Sequence, residues 1–265
     1  MLTSCVCRFD HFSEPWFATF GTNTHPTVKF HRKDWEFAAI SQALFERGCL
    51  DRGKTGMGFA VGTEPLVSRF ASMGASVLAT DVEPGATAEP WAQTGQHAVD
   101  KWALYNPAVL SREGFDSRVR FQWLNMLQPT KYPDERFDFV WSACAFEHLG
   151  SLQTGLDFVK WSSLLLAPGG VGVHTTEYNV WSNTETIDSG GVVLYRKQDL
   201  ERLAKELDEL GYVMEPFDPN PGRHRFDREP DVVPYYTCGR QHVKLQIGKF
   251  VSTSAMIIVR PKESR

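Results

Sequence analysis

The sequence predicts an α/β fold, a mostly parallel sheet with helices on both faces. Three observations carry that expectation. Residues 54–81 read as a strand, a glycine-rich turn, a helix and a second strand that ends on Asp81. Phe137–Ser142 is a near-continuous apolar run, as befits a strand covered on both faces. Apolar stripes at helical spacing alternate with such runs, most cleanly at Leu200, Leu203, Leu207 and Leu210. Alternation of strand and helix is the pattern that builds a parallel sheet.

At 265 residues the chain is long enough to bury one full core. Its formal net charge of −4 gives no electrostatic ground for general nucleic-acid or membrane binding. The five cysteines are scattered, without paired zinc spacing, and read as reduced thiols of a cytoplasmic protein. No apolar run approaches membrane-spanning length, and the N-terminus lacks a secretory pattern. Oligomeric state is not legible.

In chain order, residues 1–52 read as an aromatic-rich cap or lid followed by a helix over His31–Cys49. Residues 53–265 form the main domain, with an insertion at about 216–243. The helix start, His31 to Glu36, either covers a bound cofactor or is a solvated charged end. In the glycine turn, Gly56-Met57-Gly58-Phe59-Ala60-Val61-Gly62 keeps side chains small where a ligand approaches the backbone. Thr63 reads as the cap of the next helix, with Pro65 in its first turn. An acid at the tip of the second strand, Asp81, is where a nucleotide-like cofactor places its ribose hydroxyls. Residues 86–105 read as mixed helix and loop, with Trp91 and Trp102 packing. Val119–Leu124 is a third strand leading to Asn125-Met126. The fourth, Phe137–Ser142, exits into Ala143-Cys144-Ala145-Phe146-Glu147-His148. Leu152–Leu166 is a helix, and Val171–Glu177 a fifth strand. In it His174 and Thr176 share one face, Thr175 and Glu177 the other. Tyr212–Phe217 and Ser254–Arg260 complete the sheet, giving seven strands. The polar loop 178–195 and the insertion are placed to select a ligand.

The spacing decides among cofactors. The dinucleotide fingerprint G-x-G-x-x-G/A fails from both Gly56 and Gly58, and no Tyr-x-x-x-Lys pair occurs. The run G-x-G-x-A-x-G with Asp81, the segment FDFVWSACAFEHL and the segment LLLAPGGVGVHTTE together resemble the class I S-adenosylmethionine-dependent methyltransferases of small-molecule type. The resemblance covers residues 50–215 and the last strand. It implies a Rossmann-like, seven-stranded sheet and S-adenosyl-L-methionine as methyl donor. The donor site it implies comprises Gly56, Gly58, Phe59, Ala60, Gly62, Asp81 with Val82, Asn125 with Met126 on the adenine, and Ser142 with Ala143. One departure stands out: Lys54 occupies the position two before the first glycine, where the family carries an acid. Glu64 is the candidate to replace that negative charge.

A histidine at the carboxyl end of the fourth strand can take a proton from a hydroxyl near neutral pH. His148 is therefore the candidate general base, and Glu147 either orients it or serves the substrate. The structural alternative is that the pair caps the next helix. His174 and Glu177 are further candidates for acceptor contact or acid–base work. No metal is expected. The expected reaction is methyl transfer to a hydroxyl of a small-molecule or saccharide acceptor. An N- or C-methyltransferase and a silent S-adenosylmethionine-binding module are the alternatives.

Overall fold

The computed structural model describes all residues except 24, 26, 27, 84, 86–95, 238, 264 and 265, so Trp91 and Cys238 lie outside the described residues. The strands are β1 (Cys5–Val6), β2 (Thr55–Phe59), β3 (Ser76–Asp81), β4 (Val119–Trp123), β5 (Phe137–Ala143), β6 (Gly150–Ser151), β7 (Leu166–Asn179), β8 (Ser189–Gly190), β9 (Tyr212–Met214), β10 (Leu245–Ile247) and β11 (Phe250–Pro261). The helices are α1 (Pro15–Phe20), α2 (Arg32–Phe45), α3 (Leu66–Met73), α4 (Arg112–Arg118), α5 (Leu152–Ser163), α6 (Lys197–Glu209) and α7 (Arg225–Arg228).

The main sheet runs β4-β3-β2-β5-β7-β11. Its first five strands are parallel, and β11 is antiparallel to β7. The order reverses between β2 and β5, and in such sheets ligands sit in the crevice beyond the carboxyl ends at that reversal. Neighbouring residues on a strand feed opposite cores. Phe139, Trp141, Met256 and Ile258 pack with α2 and α3, whereas Val140, Ile257 and Val259 pack with α5 and α6. Each such side chain stabilises the sheet by roughly 1.5–3 kcal/mol through burial, which is why apolar residues fill both faces of β5.

The sheet holds nine strands, two more than the seven expected. β11 is 12 residues long, and its outer edge is longer than any single partner. β10, β1 and β9 therefore share that edge, at Phe250–Ser252, Ala255–Met256 and Val259–Pro261. The N-terminal segment thus contributes a strand to the main sheet as well as a covering layer of aromatics, Phe9, Phe12, Phe17 and Phe30. The insertion folds back over α2, bridging His31 to His242 and Asp231 to Leu245. Lys244 is fully buried there and donates to the Cys7 carbonyl and to Asp227. The expected cap at Thr63 does not form. A turn from Val61 to Glu64 takes up those residues, and α3 starts at Leu66 after Pro65, without a side-chain cap.

Candidate active site

The glycine run divides into two parts. Gly56 and Gly58 stay in β2, beneath aromatic rings of β5. A Cβ on Gly56 would lie 2.1 Å from Phe139 Cζ, and one on Gly58 2.3 Å from Trp141 Cζ2. The turn itself is made by Ala60 and Gly62, both in the left-handed region at φ +47 and +52. Lys54 lies at the opposite end of β2, where its ammonium pairs with Asp138 at 2.9 Å. An acid in place of Lys54 would thus stand at the far end of the strand from the turn. Near the turn, the Trp141 indole N–H donates to Glu64 Oε1 at 2.6 Å. Burial pushes the Glu64 carboxyl up to about 8, against the lowering effect of that hydrogen bond.

Asp81 ends β3 and braces the turn. Its Oδ2 accepts from the amides of Gly62 and Ala98, and its Oδ1 from Val82. Burial raises its pKa, opposed by those amides and by His97. His97 lies 3.7 Å from Asp81 and stacks on Trp123. Beside them opens a cavity of about 330 Å³ whose walls include Val82, Glu83, Trp123, Leu124 and Asn125. The Asn125 side-chain Oδ1 accepts from the Leu127 amide and its backbone carbonyl from the Gln128 amide, which fixes the turn after β4. Met126 is buried, and its carbonyl accepts from the Tyr132 hydroxyl.

At the carboxyl end of β5, Cys144 also adopts a left-handed conformation, φ +46, and the chain enters a tight turn over Phe146–His148. His148 Nδ1 lies 2.7 Å from the Gly191 carbonyl. A carbonyl only accepts, so Nδ1 carries a proton there; in the tautomer this selects, the lone pair is on Nε2. That atom is 3.9 Å from Glu147 Oε1. Glu147 is fully buried; Thr176 donates to its Oε2, and among the described residues its Oε1 has no hydrogen-bond partner. Burial raises its pKa.

The charged start of α2 is buried here rather than solvated. Arg32 donates to Glu36 at 2.8 Å and to Ser254 at 3.0 Å, and pairs with Glu177. Lys33 reaches the other Glu36 oxygen at 3.1 Å. Burial alone would raise the Glu36 pKa, but Lys33, Arg32 and Ser254 hold it at about 2. Ser252 donates to Glu177 Oε2 at 2.6 Å. The insertion completes the surroundings. Asp231 accepts from the amides of Val232 and Tyr236 and pairs with His242 at 2.7 Å, while His242 stacks on His31.

His174 does not join Glu177. The two residues are on opposite faces of β7, and His174 is fully buried between the rings of Phe146 and Phe158. Its Nδ1 and Nε2 are held by Ser142 at 2.8 Å and Ser162 at 3.3 Å, and burial lowers its pKa to about 3. The expectation of an acid–base role for His174 is therefore corrected: it is a neutral core histidine. Ser142 is likewise buried with it, while Ala143 reaches the carboxyl edge of β5.

Sequence reasoning missed Arg32, Glu36, Cys144 and the Asp231–His242 pair. For the first two a signal existed: Arg32 and Glu36 stand four apart, in line with the buried Ala39 and Ala43. Charges on an apolar stripe mark a buried polar cluster.

No family model matches the chain, and no curated protein matches it in sequence. Solved structures do match. A protein described as a sarcosine dimethylglycine methyltransferase from Galdieria sulphuraria shares 14% identity with a TM-score of 0.52, over 96% of this chain and 98% of its own. The magnesium protoporphyrin IX methyltransferase ChlM from Synechocystis PCC 6803, with bound SAH, shares 12% at a TM-score of 0.47, over 95% and 97%. The CcbJ methyltransferase from Streptomyces caelestis shares 14% at 0.47, over 83% and 88%. The first likeness is one of fold, and with the strand order above it defines the class: this is the Rossmann-like fold of the class I methyltransferases.

Proposed function

We propose that the chain is an S-adenosylmethionine-dependent methyltransferase that acts on a hydroxyl of a small molecule or saccharide. The observation that carries the reading is the fixed tautomer of His148 at the carboxyl end of β5, with its basic Nε2 on the side of the buried acids. S-Adenosylmethionine supplies an electrophilic methyl on a sulfonium. The chain's residues fit its nucleoside part. The backbone of Ala60 and Gly62 makes the close turn, and Asp81 Oδ1 keeps one acceptor direction for a ribose hydroxyl beyond its bond to Val82. Val82, Asn125 and the neighbouring cavity offer an adenine-sized recess. Glu64, beside the turn, would meet the cationic end of the donor, whose charge would lower the pKa that burial raises to about 8.

On the acceptor side, His148 Nε2 takes the hydroxyl proton as the oxygen gains its bond to carbon. Gly191 holds the imidazole in the needed orientation throughout. Positioning of the two reactants and removal of the proton are the protein's contributions. The loop 178–195 and the insertion supply the rest of the acceptor wall.

A thermal shift with S-adenosylhomocysteine, run beside NADH, tests the donor assignment. A rise with S-adenosylhomocysteine alone is expected. It should shrink in Asp81→Ala, whose lost acceptor weakens binding by roughly 1–3 kcal/mol. A rise with NADH alone, or no rise with either, would remove the proposal.

A further inference from the structure

We propose that the acceptor is an amino-alcohol, and that Glu147 and Glu177 seat its protonated amine beside the hydroxyl that takes the methyl. The inference rests on the hydroxyl-methylation reading above and names its substrate class.

One donor atom from each of Cys144, Glu147 and Glu177 lies within 4.8 Å of the others, and all three residues are buried. A nitrogen at a charge-assisted distance of about 2.8 Å from each oxygen fits between carboxylates so spaced. Arg32 and Ser252 supply donors to Glu177, whereas Glu147 receives the Thr176 hydroxyl at Oε2. Among the described residues Glu147 Oε1 has no hydrogen-bond partner, His148 Nε2 standing off at 3.9 Å, although the residue is fully buried. Polar atoms in that position are rare and call for an explanation.

The charges point the same way. Arg32 and Lys33 stand among three carboxyl groups, Glu36, Glu147 and Glu177, and His148 Nε2 lies 3.9 Å from Glu147 Oε1. Glu36 takes both Arg32 and Lys33, and Glu177 takes Arg32. Glu147 is the carboxyl that neither cation pairs with directly, and burial raises its pKa; a bound ammonium would hold it ionised. Its neighbour His148 is already oriented by Gly191, so Glu147 is not required for that task. One added positive charge balances that carboxylate. A divalent ion would bring two charges to that one carboxyl and would meet Arg32, which already lies against Glu177 and 3.6 Å from Cys144 Sγ. The Cys144 thiol is also a poor ligand, because burial and then Glu147 and Glu36 raise its pKa well above the ordinary value. An organic monocation fits where a metal does not.

The test uses the whole protein with S-adenosylhomocysteine and measures affinity, by saturation-transfer NMR, for two matched pairs: 2-aminoethanol against 1,2-ethanediol, and glucosamine against glucose. The amine of at least one pair should bind about tenfold more tightly, the worth of one charge-assisted hydrogen bond. Glu147→Gln should abolish that preference. Should this variant fail to fold by far-UV circular dichroism, Glu177→Gln serves in its place. Amines that bind no better than their partners, or a preference that survives the substitution, would overturn the proposal. Stabilisation by Mn²⁺ or Zn²⁺ alone that disappears in Glu147→Gln would assign the pocket to a metal and overturn it too. Failure of S-adenosylhomocysteine to stabilise the wild type would sink the methyl-transfer reading separately, since ammonium preference is read on the acceptor side.

Discussion

Replacing Arg32 by methionine should expose how the buried charges are held. The guanidinium serves Glu36, Glu177 and Ser254 together, and its side chain is 11% exposed. Without it, Glu36 keeps Lys33 and Glu177 keeps only Ser252. Breaking a buried pair from one side costs about 3–5 kcal/mol, because the remaining charge stays desolvated. The loss should depend on pH. In the wild type the Glu36 pKa is depressed to about 2, so its contribution is present above its ordinary value of 4.5 and fades only as pH falls through 2. In the variant the unpaired carboxylates gain protons more easily, so the penalty is largest at pH 7.5 and smaller at pH 5. Urea unfolding followed by circular dichroism at both values measures it. The double variant Arg32→Met/Glu177→Met should recover part of the loss, since removing both partners leaves no orphan on that side. A loss below about 1 kcal/mol at pH 7.5, or one no smaller at pH 5, would refute this account of the cluster.

Three further outcomes are expected. His148→Ala should keep S-adenosylhomocysteine affinity and slow methyl transfer by ~10²–10⁴-fold, read from single-turnover rates with a saturating acceptor; an unchanged rate would return the residue to a structural role. His174 makes the fold acid-sensitive. The unfolded ring is protonated below about 6.5 while the folded ring resists until about 3, so stability is full above the first value and declines toward the second. His174→Gln should flatten that decline by up to about 1.4 kcal/mol per pH unit, seen in urea midpoints between pH 6 and 4. Gly58→Ala forces a methyl against Trp141 and should cost about 1–3 kcal/mol of stability; a wild-type melting temperature would show that the indole yields freely.

Much of the scaffold was legible because its signals are local. The run Phe137–Ser142 and the stripe from Leu200 announce their elements whatever lies around them. Of the candidate site, what was legible is position: Asp81 stands at the carboxyl end of β3, and Glu147 and His148 lie just beyond that of β5. Gly56 and Gly58 misled, because a glycine spared for an aromatic ring reads the same as one spared for a ligand. His174 misled for a related reason: strand alternation assigns a face but not what covers it. Arg32 meets Glu177 through a packing of α2 on β7 that no spacing along the chain reveals. The extra strands were missed because β1 is a two-residue segment with no periodicity to detect.

The shared outer edge of β11 has a consequence for how the chain reaches this state. Cys5 pairs with Met256, so β1 has no sheet partner until the residues of β11, about 250 positions later, are available. Contacts so distant in sequence close late and slowly. Until then β7 presents an unpaired apolar edge, the kind of surface that recruits other chains. Ser252 and Ser254, which hold Glu177 and Glu36, arrive on the same strand. Completion of the sheet and placement of the two hydroxyls that hold Glu177 and Glu36 therefore depend on the same strand.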